Sequence, residues 1–252
     1  ELVASHDHPV VLLVADTPSA LRLEQEVQFL LRQQKPARPV LLFPDWETLP
    51  YDSFSPHQDI ISQRLETLYH LPRMRQGLLI IPVATLMLRT PPQSFIDRFS
   101  LLVKPGDRLD LHGLRRRLEQ AGYNSVEQVL EHGEFAARGS LLDLFPMGSK
   151  EPYRIDFFDD EVDTIRAFDP DSQRSSEPVS AVRLLPAHEF PTDKDAIELF
   201  RARYRERFEI SRAPECIYQQ VSKGLWPAGI EYYLPLFFEH SSTLLDYLPE
   251  QS

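Results

Sequence analysis

The sequence predicts an α/β protein, a parallel-sheet domain split in two by an inserted α+β domain. Three observations predict it. Continuous apolar runs at 9–15, 40–43 and 78–81 alternate with segments of helical periodicity. From about 100 to 187 the pattern changes to short strands separated by turn residues. From Pro191 onward the spacing is helical again. The expected division is therefore 1–99, an α/β domain; 100–187, the inserted domain; and 188–252, a helical and aromatic segment that packs back on the first.

Pro9 to Ala15 reads Pro-Val-Val-Leu-Leu-Val-Ala, a run suited to a parallel strand covered on both faces. Asp16, Thr17 and Pro18 follow as a helix start, with a capping side chain and an early proline. Ala20, Leu23, Val27, Leu30 and Leu31 then make one apolar stripe. Val40 to Phe43 is a second buried strand. Ile60, Ile61, Leu65, Leu68 and Tyr69 mark a second amphipathic helix, and Leu78 to Ile81 is the third strand. Strand, helix, strand, helix, strand is the order of a parallel sheet with right-handed crossovers.

In the middle segment Leu111, Leu114, Leu118 and Ala121 lie on one face of a short helix, and Arg115, Arg116 and Arg117 face solvent. Strands are expected at 128–131, 140–145, 153–158, 162–168 and 182–185. Asp159, Asp160 and Glu161 join two of them as a hairpin. In the last segment Thr192 caps a helix, and Asp193 and Asp195 complement its dipole. Its stripe is Ile197, Phe200, Tyr204 and Phe208. Residues 218–249 are rich in aromatics and prolines.

Composition narrows the function. The chain has 252 residues, 42% of them hydrophobic and 26% charged, as in a globular protein. Acidic residues outnumber basic ones, 38 to 27, for a formal net charge of −11. A protein that grips nucleic acid without sequence preference needs the opposite balance, so protein partners come first. One cysteine, Cys216, excludes an internal disulfide and fits a reducing, cytoplasmic compartment. The longest apolar stretch, Gly77 to Leu88, falls short of the ~18 residues of a membrane span and contains Pro82. No signal peptide is visible, an absence of reduced weight because the chain opens at Glu1 without methionine.

The α/β opening invites a search for a phosphate cradle. Neither G-x-x-x-x-G-K-[ST] nor G-x-G-x-x-G occurs, and Gly148-Ser149-Lys150 has the wrong order. With nine glycines in the chain there is little material for such loops. Direct ATP or dinucleotide binding is not expected, nor any other cofactor. His6 and His8 are neighbours near the chain start, but no metal-ligand spacing surrounds them. Asp156, Asp159, Asp160, Glu161 and Asp163 crowd one hairpin, where a charged turn that protects an exposed edge is the simpler account than paired-carboxylate catalysis. Gly-x-Ser-x-Gly is absent, and Cys216 has no evident base. The sequence gives no support for an enzyme.

The strand Tyr153-Arg-Ile-Asp-Phe-Phe158 carries more information. Alternation puts Tyr153, Ile155 and Phe157 on one face and Arg154, Asp156 and Phe158 on the other. A large aromatic on the polar face, two positions from an aspartate and four from an arginine, has the composition of an interface hot spot. The rival account has Phe158 under a loop and Arg154 paired to Asp156. Arg138 joins the same surface if its strand lies nearby. The stretch Trp46 to His57 mixes aromatics and prolines, which suits either base stacking or an ordered loop packed on the sheet. Arg115 to Arg117 likewise read as a phosphate patch or as a solvated helix face.

Long strings decide between these readings. Asp45-Trp-Glu-Thr-Leu-Pro-Tyr-Asp-Ser-Phe-Ser-Pro-His-Gln-Asp-Ile-Ile-Ser62 resembles the N-terminal, UvrB-homologous module of the bacterial transcription-repair coupling factor family (Mfd). So do Glu131 to Gly139, Leu141 to Gly148, Tyr153 to Glu161, Leu184 to Asp193, Gln219 to Gly224 and Pro227 to Tyr233. The resemblance implies a degenerate UvrB-like, helicase-like parallel-sheet domain without a working phosphate loop, split by an inserted domain that binds the repair ATPase UvrA. It implies recruitment of UvrA in transcription-coupled nucleotide excision repair, with Arg138, Arg154 and Phe158 as the contact residues. It further implies that a C-terminal domain masks this surface in the intact protein. The ATP-driven motor, and binding of RNA polymerase and DNA, belong to domains outside this chain. The alternative is a helicase-derived fragment with weak DNA affinity through the Trp46 loop and the basic helix.

Overall fold

A computed structural model of the chain describes residues 8–31, 38–50, 53–211 and 213–249. The first segment forms β1 (Pro9–Val14), α1 (Thr17–Leu31), β2 (Val40–Leu42), α2 (Gln58–His70) and β3 (Gly77–Pro82). The three strands make a parallel sheet in the order β1-β3-β2. Central β3 is buried along all six residues, as its unbroken apolar run requires. β1 is an edge strand, which corrects the expectation that it is covered on both faces. Leu12 and Leu13 are 36% and 51% exposed, and among the described residues only β3 pairs with β1. Gly77 has φ +138°, and a side chain there would overlap the Pro39 carbonyl that accepts the Leu78 N–H.

Asp16 caps α1 by accepting from the Ser19 N–H at 2.8 Å. Leu23 and Val27 pack with buried Ala20 on Leu42, Leu78 and Ile80. Leu30, expected in the same stripe, lies 67% exposed. On the opposite face of the sheet α2 buries Ile61, Leu65, Leu68 and Tyr69. A further helix, α3 (Gln93–Phe99), follows β3; its seven residues are too few to show a period in the sequence.

β4 (Leu101–Val103) and β11 (Val182–Leu184) pair antiparallel. They bring together the two ends of the intervening segment. Between them α4 (Leu111–Gln120) is capped by Asp110, which accepts from the His112 and Gly113 N–H groups. A six-stranded sheet follows in the order β10-β9-β8-β7-β6-β5. Its strands are β5 (Asn124–Ser125), β6 (Glu134–Arg138), β7 (Leu141–Leu144), β8 (Tyr153–Phe158), β9 (Glu161–Phe168) and β10 (Ser175–Pro178). Residues 128–131, expected as a strand, form a loop. The Glu134 carboxylate takes the Leu130 and Glu131 N–H groups at 2.8 and 2.9 Å, bonds that would otherwise go to a neighbouring strand. The β8–β9 hairpin turns as expected through Asp159, whose φ is +52°. Its end is not a bare edge, because Leu109 donates to Asp160 and Asp107 accepts from Val162.

The last segment contributes α5 (Lys194–Arg207) and α6 (Ile217–Ser222). Asp193, not Thr192, caps α5, through the Ala196 N–H at 2.9 Å. Phe200 stacks on Phe237 at 4.8 Å between ring centroids, and Phe237 on Phe190 at 4.9 Å. The Tyr247 hydroxyl donates to Pro91 O, and Trp46 meets Tyr232 edge-on at 5.0 Å, so this segment packs on the first. One contiguous core runs from Leu79 and Ile81 through Leu142, Leu144 and Ile155 to Phe200 and Phe237.

Within that core Arg64 of α2 and Glu189 form a fully enclosed ion pair, Nε to Oε1 at 2.6 Å. Trp46 Nε1 donates to the other carboxylate oxygen, and Arg64 also reaches Pro44 O. The guanidinium lies 4.1 Å from the Phe43 ring centroid. The charges thus have opposite charge, hydrogen bonds and an aromatic face, the conditions that let a pair survive burial.

Candidate partner-docking face

The six-stranded sheet has two chemically different faces. Phe135, Leu142, Leu144, Ile155, Phe157, Val162 and Ile165 point into the main core. The opposite face carries Arg138, Asp143, Arg154, Asp156, Phe158 and Arg166. The register places them there: Arg138 opposes Leu141, Leu141 opposes Asp156, and Asp143 opposes Arg154, which opposes Arg166. Residues directly paired in antiparallel strands share a face. A register shift between Asp156 and Phe157 leaves Asp163 of β9 as the extra residue, so the alternation of β8 continues undisturbed to Phe158.

The structure therefore brings the three sequence-derived residues, Arg138, Arg154 and Phe158, to one face. Arg138 is on β6 and the other two on β8, with β7 between, a separation on the order of 10 Å from strand to strand. Phe158 is 75% exposed and lies under no loop. Arg154 does not pair with Asp156. It grips Asp143 in a fork, Nε to Oδ1 at 2.7 Å and Nη2 to Oδ2 at 2.8 Å. These bonds hold the guanidinium firmly charged against the pull of burial. The same group sits 5.0 Å over the Phe168 ring. Asp156 accepts from the Thr164 hydroxyl instead. Arg138 is exposed and donates through Nη2 to Glu127 O, tying down the loop before β6.

Asp143 and Arg166 were not legible as members of this face. The signal for Asp143 was a single carboxylate inside the apolar run Leu141-Leu-Asp-Leu-Phe145, which calls for a cation. Arg166 became visible only with the β8–β9 register.

The other sequence candidates separate cleanly. Trp46 is 2% exposed and hydrogen-bonded to Glu189, so it offers no ring for base stacking. Tyr51 and Asp52 of the same loop, and His6, lie outside the described residues. Arg116 and Arg117 are exposed on α4 and Arg115 is half-buried. Cys216 stands at the start of α6, its thiol donating to Ser211 O at 3.3 Å. Among the described residues no group of three or more His, Cys, Asp or Glu is arranged to hold a metal ion. None of the described helices is long and apolar enough to cross a membrane.

This strand order, with β4 and β11 closing its ends, coincides with a known unit. Residues 101–190 match the family model of the UvrB interaction domain. Along nearly the whole chain the sequence is also similar to transcription-repair-coupling factors. It is 59% identical over 250 residues to that of Escherichia coli (strain K12), covering 99% of this chain and 21% of the relative. It is 55% identical over 253 residues to that of Haemophilus influenzae, covering 100% and 22%. For Bacillus subtilis (strain 168) the identity is 28% over 258 residues, covering 97% and 22%. The chain is thus similar to the N-terminal region of these coupling factors, and it spans about a fifth of the length of these relatives.

Proposed function

We propose that the chain is a non-catalytic recruiting module of transcription-coupled nucleotide excision repair, and that it docks UvrA on the outer face of the six-stranded sheet. In this reading residues 100–187 are an inserted docking domain, and 1–99 and 188–252 are the two parts of the domain that carries it. Phe158 is the anchor and Arg138 and Arg154 are its polar flanks. The observation that carries the proposal is the exposure of Phe158. A phenylalanine 75% exposed on a paired strand, on the face that also carries Arg138 and Arg154, needs no backbone ordering on binding and buries a large apolar area.

Catalysis plays no part in this role. The reaction chemistry of the longer relatives, and engagement of RNA polymerase and DNA, fall to regions beyond this fifth of their length. In the intact chain a C-terminal domain covers the same face until recruitment is needed. A DNA-binding role for this segment loses its stacking platform, since Trp46 is enclosed.

The test is binding of purified UvrA to the chain and to Phe158→Ala. Truncating a hot-spot aromatic costs about 2 kcal/mol or more, so affinity should fall by well over tenfold. Undiminished affinity in the folded variant would remove Phe158 from the interface. Failure of the parent chain to bind UvrA would refute the recruiting role.

A further inference from the structure

Two arginines face each other across the β8–β9 ladder. Arg154 pairs in register with Arg166, so both project from the docking face. Like charges directly opposite destabilise a sheet, and the fold offsets this on one side only. Asp143 takes Nε and Nη2 of Arg154. Gln173 O and Ser175 Oγ lie 3.4 and 3.3 Å from its Nη1. Arg138 is committed to Glu127 O. Arg166 is exposed, and no ion pair or hydrogen bond of its side chain occurs among the described residues.

The three guanidinium groups therefore differ in what they can still offer. Arg154 is nearly saturated within its own sheet, and Arg138 partly so. Arg166 keeps all its N–H donors for an outside acceptor, on a strand that holds its backbone rigid. A planar guanidinium in that state matches a carboxylate in bidentate geometry. The surrounding charge sharpens this. On this face Asp143 offsets the charge of Arg154, while no side-chain partner among the described residues offsets that of Arg166, so an incoming carboxylate has a defined place to meet it. Resting on the docking reading above, we infer that Arg166 is a specificity-determining residue of this face and meets a carboxylate of the docked protein.

Association and dissociation rates of purified UvrA would be measured for the parent chain, Arg166→Glu, Arg166→Gln and Phe158→Ala, at low and at high salt. Arg166→Glu should slow association about tenfold at low salt, and the difference should shrink at high salt, because charge pairs at an interface act on encounter and are screened. Arg166→Gln should fall between that variant and the parent. Phe158→Ala should instead speed dissociation about tenfold or more, with association little changed. If Phe158→Ala weakens binding while both Arg166 variants keep the parent's rates, the inference is overturned and the docking face stands. If none of the three alters binding, the face itself is wrong and the inference falls with it.

Discussion

Arg154 reaches from β8 to Asp143 on β7 and holds it with both prongs of its guanidinium, at 2.7 and 2.8 Å. Asp143 is only 6% exposed, so its charge depends on that arginine. Arg154 is consequently a structural residue as well as a candidate docking one. Arg154→Ala strands a buried carboxylate and should cost about 2–3 kcal/mol of stability. Changing Asp143 to alanine in the same chain removes the stranded charge and should restore most of that loss. Urea unfolding of the single and double variants measures both. Equal destabilisation would show that the pair contributes packing rather than charge compensation. A loss of UvrA binding by Arg154→Ala is interpretable only beside the double variant.

Phe157 and Phe158 are adjacent in sequence and opposite in environment. Phe157 is 6% exposed in the main core, whereas Phe158 is 75% exposed. Phe157→Ala should cost about 3–5 kcal/mol, and Phe158→Ala should leave stability within about 0.5 kcal/mol. Thermal unfolding of the two variants makes the comparison. A large loss for Phe158→Ala would mean that the ring is covered and that the β8 alternation fails at the bulge.

The same alternation explains what was legible in the sequence. β8 and β9 have one buried and one solvated face, and the period of two in Tyr153 to Phe168 records it directly. β3 was legible because a strand buried on both faces is apolar throughout. β1 has an equally apolar sequence but sits at the edge, since composition does not encode which strand lies in the middle. β10, Ser-Ser-Glu-Pro, has no apolar face to announce it, being exposed along all four residues. The loop 128–131 looked like a strand because Val129 and Leu130 are apolar; Val129 is buried under β6, and Glu134 draws the backbone away from pairing. At the candidate site the alternation yielded Arg154 and Phe158. Asp143 and Arg166 depend on cross-strand register, which no local pattern contains.

Arg64 and Glu189 stand far apart in sequence and join the first segment to the last. With both side chains fully enclosed, removing one partner leaves an uncompensated charge in the core. Arg64→Met should destabilise the fold by about 3–5 kcal/mol, whereas Arg64→Met with Glu189→Met should be much milder. Chemical denaturation of single and double variants decides the matter through their coupling. Additive losses would show that the two charges do not sense each other.

His188 sets an acid limit on the fold. Its ring stacks on Phe190 at 5.1 Å and packs so closely on Gly122 that a side chain there would strike it. Burial pushes the imidazole down from 6.5 to about 4. The unfolded chain therefore takes up a proton at a higher pH than the folded one. Stability from neutral His188 is complete above about pH 6.5 and is lost as pH falls toward 4. Glu66 and Glu231 act in the opposite sense, because burial pushes their carboxyls up and favours the protonated form in the fold. The parent's pH curve alone thus mixes these contributions, and the difference from His188→Gln isolates one of them. Measured from pH 7 to pH 4, the parent should lose more stability than His188→Gln, with the gap opening below pH 6.5. Parallel curves over that range would mean that His188 is protonated in the folded protein and that the packing around Gly122 and Phe190 gives way to admit the charge.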